Sequence, residues 1–418
     1  MRTVISDAAL HWRAVAREVA TNTVLPIARK YDELQEYPWE VQRALKDAGL
    51  FGVWIPKEYG GHGAGIVALC MVVEELSRAC GGVGVLFAVN ALGSFPILIG
   101  GTEEQKRTWM PKLASGDARI AYCLSEKGSG SDAQSMRCRA KLDGDHFVIN
   151  GEKKWTTNGG PATIYTVFAV TDPTSKSRRV SAILVEKGTP GFTIGKVEDK
   201  MGIRCVPVVE THFRNCRVPK ENVLGGREGL GFKHAMATLD KARPGVAAQA
   251  VGLAQGALDY ALVYTARRRQ FGQPINQFQG IQHRLAEMAT KVESARQLVY
   301  AAARAVDAGD PEVTRIAAMA KFYSTEVAMD VTTQAVQLFG GYGYMRDYPI
   351  EKYMRDAKIT QIYEGTNEIQ RLVIARALTR SLSEIQYLEK YIPTESQFVI
   401  PEEGLSQDET YSVKTVHS

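Results

Sequence analysis

Apolar positions in the first 120 or so residues recur at helical spacing. Trp12, Val15 and Val19 fall on one face, at i, i+3 and i+7, behind Ser6 or Asp7 as a cap. Pro38 opens and Gly49 closes a second helix whose apolar positions are Trp39, Val41 and Leu45. Thr102 followed by Gln105 has capping-box form and starts another. Between these lies the stretch 81–101, which has no ionisable side chain. From about 120 to 230 the period falls to two: ARIAYCLSE, DHFVINGEKKW, IYTVFAV and RVSAILVE are rich in β-branched and aromatic residues, and Asp143-Gly144 is a hairpin signal. After Gly231 the helical pattern returns for about 150 residues. Its first segment, GVAAQAVGLAQGALDYALVYTARRRQ, is full of glycine and alanine, which lower helix propensity but let helices approach closely, so a tight bundle is expected. The tail from about 385 is acidic and unpatterned and reads as an extended or partly disordered appendage.

The pattern predicts an α+β chain with an N-terminal helical domain (1–120), a middle β domain of barrel-like or sandwich form (121–230), a C-terminal four-helix bundle (231–384) and an acidic extension (385–418). A chain of 418 residues is long enough for two or three packed domains.

Composition narrows the function classes. Hydrophobic residues at 45% and charged residues at 23% are those of a soluble globular protein, and no apolar run long enough to span a bilayer is expected. A net charge of +5, with lysines and arginines scattered rather than massed, argues against a nucleic-acid partner. Six cysteines without a CxxC pair or nearby histidines give no metal site. The N-terminus lacks the apolar core of a signal peptide, so the expected location is the cytoplasm, or the mitochondrial matrix in a eukaryote.

Candidate chemistry begins at GSGSDA, residues 128–133, which matches a dinucleotide fingerprint in letters but not in context. That fingerprint needs a helix after the glycines, and here the chain continues as strand and hairpin. Read as a loop, LSEKGSGSD is either a plain surface turn or a run of small residues that lets a flat polar ligand approach the backbone. Trp155 and Thr157, two apart on a strand, are either core packing or an aromatic face beside a hydroxyl, the pair that suits an isoalloxazine ring.

The blocks YCLSEKGSGSD, INGEKKWTTNGG, FRNCRVPKENVLG, LDKARPGVAAQAVGLAQGALDYA, RRRQFGQPINQFQGIQ and QLFGGYGYMRDYPIEKYMRDAKITQIYEGTNEIQR resemble, in order and spacing, the acyl-CoA dehydrogenase family. The likeness covers residues from about 5 to 382 and is nearest to short- and medium-chain members. Ser125 and Lys127 depart from the family's usual Thr and Pro, and serine keeps the hydroxyl.

The resemblance implies FAD as cofactor, with Tyr122, Leu124, Ser125, Trp155 and Thr157 around the flavin ring. It places Ser131 where the β domain meets CoA or the flavin's polar tail. Arg268, Gln270 and Phe271, with Gln337, Gly340 and Gly341, would reach the FAD of a neighbouring subunit, and without the resemblance residues 267–269 read as a solvated face. Thr366 and Glu368 would be further FAD contacts at a helix start. Asp240, Arg243, Tyr363 and Gly365 would hold the substrate.

Glu364 would be the base that takes the α-proton of the thioester; out of context, a glutamate in a YEGT turn merely balances a helix dipole. The helix containing LDKARP, where some family members put the base, reads Lys241-Ala242-Arg243 and offers no carboxylate there. The stretch 81–101, which the resemblance assigns to the acyl pocket, has no cation to pair a second carboxylate, so an uncharged acyl group is expected. The implied activity is α,β-dehydrogenation to a trans-2-enoyl-CoA, with electrons passed to an electron-transferring flavoprotein by a homotetramer built as a dimer of dimers. The alternatives are a flavin acyl-CoA oxidase, usually a longer chain with an added domain, and a non-catalytic homologue that binds acyl-CoA.

Overall fold

A computed structural model of the chain describes residues 5–380 and 382–392, with one compact unit ending at Ile374 and a second beginning at Ala375. The first unit opens with helices α1 (Asp7–Val19), α2 (Ala28–Leu34), α3 (Trp39–Asp47), α4 (Gly65–Ala79), α5 (Gly81–Gly100) and α6 (Glu103–Ala114). The expected caps are in place. The Ser6 side chain accepts the Ala9 amide, and Thr102 and Gln105 satisfy each other's backbone amides in a capping box.

Seven strands follow: β1 (Ile120–Cys123), β2 (Arg139–Asp143), β3 (His146–Thr157), β4 (Ile164–Val170), β5 (Val180–Glu186), β6 (Phe192–Val197) and β7 (Val208–Pro219). They form one mixed sheet in the order β1-β4-β2-β3-β7-β6, with β5 paired to β4. β4 is buried along its whole length and β5 along all but its last residue, which is why both read as continuous apolar runs rather than alternating ones. Phe147, Tyr165 and Phe213 build a core inside the sheet, while Phe168, Val180 and Leu184 join the core of the helices. The β2–β3 hairpin pairs Asp143 with His146, so its two turn residues are Gly144 and Asp145, one position later than the Asp-Gly signal suggested. Gly144 carries the positive φ of 59° that the turn requires. After the loop at 124–132 there is only the single turn Ala133–Ser135 before β2, so no dinucleotide-binding helix forms.

The chain then builds α7 (Gly231–Arg267), a two-residue-strand hairpin of β8 (Arg269–Gln270) and β9 (Gln273–Pro274), α8 (Gln279–Ala308), α9 (Val313–Phe339), the short α10 (Gly341–Tyr344), α11 (Ile350–Thr360) and α12 (Asn367–Arg380). Close approach is real: a Cβ on Gly252 would lie 2.3 Å from the Glu74 carbonyl oxygen and one on Gly256 2.3 Å from that of Arg78, so α7 and α4 meet backbone to backbone.

Two expectations are corrected. Gly81–Gly100 and Gly231–Arg267 do reach the length and hydropathy of a membrane span, but 78% and 72% of their most apolar windows are buried inside the protein. They are core helices, and their apolar windows are apolar because most of their surface is packed against protein. In the tail, Leu382–Tyr391 is a run of 3₁₀ turns rather than an extended chain. Leu382, Ile385, Leu388 and Tyr391 recur every third residue, the period of that helix. Residues 393–418 lie outside the described residues.

Candidate active site

The sheet presents the first group of side chains. Lys153 points inward, wholly buried, and its ammonium donates to Glu126 Oε1 at 2.8 Å and to the Leu124 carbonyl at 3.0 Å. Glu126 in turn accepts the amides of Arg137 and Cys138 at 2.6 and 2.9 Å. The buried pair therefore ties the loop after β1 to β3. Burial alone would push the Glu126 carboxyl up, but the Lys153 ammonium and the two amides hold it below the usual carboxylate range. The Ser125 carbonyl accepts the Lys154 amide at 2.9 Å, setting Ser125 beside Trp155. A bulge between Lys153 and Thr156 puts Trp155 at φ +56° and leaves its ring 53% exposed, with Thr157 half-buried and Thr156 turned into the core. The loop carrying Leu124 and Ser125 is thus fixed against the strand that carries Trp155 and Thr157.

The second group centres on Glu364, in the turn between α11 and α12. Its φ of +53° is a left-handed conformation rare for a residue with a side chain and worth about 1–3 kcal/mol of strain. Neighbours hold it there. The Gln370 side-chain amide donates to the carbonyls of Glu364 (3.4 Å) and Gly365 (2.9 Å), and the buried Lys321 ammonium of α9 donates to the Gly365 carbonyl and to Asn367 Oδ1, both at 2.9 Å. Gly365, at φ +92°, has no room for a Cβ, which would sit 2.6 Å from Gln370 Nε2. Burial raises the Glu364 carboxyl to about 7, opposed by the charges of Lys321 and Arg243.

Arg243, buried in α7, is paired with Asp240 at 2.7 Å, and Asp240 accepts the Thr314 hydroxyl at 2.7 Å. Tyr122, at the end of β1, feels the Glu364 charge, which brings the sheet face and the carboxyl together. Three buried polar atoms in this group have no protein partner among the described residues: Glu364 Oε2, the Tyr122 hydroxyl and Arg243 Nε. Buried polar atoms are normally satisfied, so three orphans around one carboxyl make this group the candidate site for a ligand's polar groups. Tyr363 instead turns its hydroxyl to Gln249.

The remaining predicted residues lie elsewhere. Thr366 accepts the Ile369 amide at 3.4 Å and so caps α12, and Glu368 is exposed and 3.4 Å from Arg371. Arg268 stacks over Tyr342, 5.5 Å from the ring centre, which joins the β8–β9 hairpin to the segment after Gln337. At the hairpin tip Phe271 is 92% exposed at φ +53°, while Gln270, Gln337, Gly340 and Gly341 are all exposed. Among the described residues no hydrogen bond or ion pair connects this patch to Trp155 or Glu364. Ser131 is exposed next to Asp132, at the rim of a cavity of about 840 Å³ lined by Arg137, Arg139, Lys176 and Arg179.

That basic cavity, the Lys153–Glu126 pair and Lys321 escaped the reading of the sequence. The cavity's cations are spread over some forty residues and no spacing unites them. The lysines did leave a signal: each stands at an inward position of its element, Lys321 in step with Ala317, Thr325 and Ala328.

Comparison with known proteins gives the same frame. The acyl-CoA dehydrogenase N-terminal, middle and C-terminal domain families match residues 6–117, 121–216 and 229–379. A probable acyl-CoA dehydrogenase, FadE25, of Mycobacterium tuberculosis is 51% identical over 368 residues, 88% of this chain and 94% of that protein. The short-chain specific acyl-CoA dehydrogenase of Clostridium acetobutylicum is 48% identical over 369 residues, 88% of this chain and 97% of its own. The structure of butyryl-CoA dehydrogenase from Megasphaera elsdenii superposes with a TM-score of 0.88 at 42% identity, covering 91% of this chain and all of that one. With all three domains matched and half the residues identical to a relative along nearly its full length, the chain belongs to the acyl-CoA dehydrogenase family.

Proposed function

We propose that this protein binds FAD and oxidises the Cα–Cβ bond of an uncharged acyl-CoA to the trans-2-enoyl-CoA, with Glu364 taking the α-proton. The observation that carries this reading is the Glu364 carboxyl: buried, raised to about 7, unpartnered at Oε2 and fixed on a strained turn. A general base works best when its pKa lies near the operating pH and its position is fixed in advance. The Glu364 amide donates to no protein acceptor among the described residues, so it can serve the thioester oxygen as negative charge builds there. Bound FAD would supply the electron sink behind the β-carbon.

The residues present fit that cofactor. Trp155 offers a flat exposed face on the strand that also carries Thr157, with the Ser125 loop bonded to that strand, and Gly340, with φ +60° and open space where a Cβ would be, permits close approach of a ligand to the backbone. The exposed patch of Arg268, Gln270, Phe271, Gln337, Gly340 and Gly341 suits the FAD of a neighbouring subunit, which supports a homotetramer built as a dimer of dimers. Electrons would leave to an electron-transferring flavoprotein.

The basic cavity fits the phosphates of CoA, since four cations against the single carboxylate of Asp132 on its walls suit a polyphosphate. The double variant Arg137→Ala/Arg139→Ala is expected to raise KM for butyryl-CoA by about tenfold, with kcat nearly unchanged and a flatter salt dependence. A fall in kcat at unchanged KM would refute the assignment.

α5 lines its buried surroundings without a single charge. Anaerobic titration of the FAD-loaded protein with butyryl-, octanoyl- and glutaryl-CoA, followed by flavin absorbance, tests the whole reading. Bleaching by the first two and little by the third is expected, because an unpaired carboxylate in an apolar pocket is costly. No bleaching by any of them, or fastest bleaching by glutaryl-CoA, would defeat it.

A further inference from the structure

Lys321 is wholly buried in the first half of α9, where a lone ammonium has no business unless something nearby requires it. Its two hydrogen bonds, to the Gly365 carbonyl and Asn367 Oδ1, grip the backbone on the C-terminal side of Glu364. Asn367 is itself buried and anchored to the Glu326 carboxylate at 2.6 Å, so the grip is rigid at both ends. We propose that Lys321 is a positioning residue for Glu364: it fixes the left-handed turn that aims the carboxyl, and its charge is the counter-ion that allows the buried base to ionise. The inference rests on the reading of Glu364 as the base.

The charges around the pair come from several elements. Arg243 approaches from α7 with Asp240 as its partner, Tyr122 from β1 and Tyr363 from the turn itself, while Glu326 on α9 and Glu368 on α12 face Lys321. Arg243 is already engaged by Asp240, and among the described residues Lys321 has no carboxylate in hydrogen-bond contact. In agreement, Lys321 is the largest charge acting to lower the Glu364 carboxyl, and Glu364 is the largest acting to keep Lys321 protonated. Burial has brought each to about 7 from opposite sides.

Lys321→Met removes the charge at nearly constant volume, Lys321→Gln keeps a donor for the Gly365 carbonyl without charge, and Lys321→Arg keeps charge at all pH values. In the FAD-loaded variants, the pH dependence of flavin bleaching by butyryl-CoA should show its midpoint raised by about one unit or more in Met and Gln, and unmoved or lowered in Arg. At neutral pH the Met variant should bleach about tenfold more slowly. The infrared band of the protonated Glu364 carboxylic acid, identified by its loss in Glu364→Gln, should follow the same midpoints without any turnover. A purely structural role would lower thermal stability and FAD content yet leave both midpoints in place, and that result overturns the proposal. If the Met variant does not fold, the Gln variant decides in the same way. Failure of Glu364 as base would appear separately, as bleaching that survives Glu364→Gln, while the infrared band still reports whether Lys321 governs its ionisation.

Discussion

Glu364→Gln is expected to slow the bleaching of bound flavin by acyl-CoA by about 10³-fold or more, while FAD content and folding are retained. Glutamine has the shape of the carboxyl and the same left-handed turn can hold it, because the grip of Gln370 and Lys321 falls on backbone carbonyls and on Asn367 rather than on the Glu364 side chain. What disappears is the proton acceptor. In the parent protein the same reaction should be lost as pH falls through about 7, since only the ionised carboxyl is a base.

Stability should run the other way. A carboxyl lifted by burial from its ordinary 4.5 to about 7 gives the folded state an advantage that is fully present below 4.5 and lost as pH rises through 7. The variant does not titrate there, so it should gain on the parent in thermal unfolding between pH 4.5 and 7 and keep the gain at pH 8. Equal bleaching rates in the two proteins would remove Glu364 from the mechanism. An equal stability difference at pH 5 and pH 8 would show that its carboxyl does not change charge in this range.

Glu126→Ala should be the most damaging change to the sheet. It leaves the Lys153 ammonium, which has no exposed surface, with only the Leu124 carbonyl and the weakly accepting Met136 thioether as partners and strips the acceptor from the amides of Arg137 and Cys138. Breaking a buried ion pair from one side costs about 3–5 kcal/mol, far more than loss of an exposed one. Denaturant unfolding measures this directly. Because the pair also ties the loop carrying Ser125 to the strand carrying Trp155, the variant that survives should be purified with substoichiometric FAD. The double variant Glu126→Ala/Lys153→Met should recover much of the stability, as the stranded charge is gone. If the single variant unfolds within about 1 kcal/mol of the parent, the pair behaves as a surface contact.

How far the sequence could be read depended on the range of the interaction. Local chemistry was visible: the Ser6 cap, the Thr102 capping box and the period change near residue 120 are each decided within a few residues. The glycines of α7 signalled close packing, though not that α4 would be the partner. Glu364 stood out as the candidate base only through the motifs around it, because nothing in YEGT distinguishes a base from a helix-start carboxylate. The physical difference lies in burial by elements from the sheet, α7 and α9, far away in the chain. For the same reason Lys321 and the Lys153–Glu126 pair stayed hidden, since a lysine's partner is fixed by topology. The misplaced membrane criterion has a related cause: hydropathy along α5 reports how apolar the surroundings must be, and a protein core satisfies that as well as lipid does.

The turn that carries Glu364 is among the last pieces of the first unit to leave the ribosome. By then β3 and the loop after β1 can already present Trp155 and Ser125, but a nascent chain that ends before this turn has neither the carboxyl nor the Gln370 side chain that holds its backbone. With Glu364 as the proposed base, a partly made copy would be chemically mute, and the order of synthesis itself would keep unfinished chains from reacting.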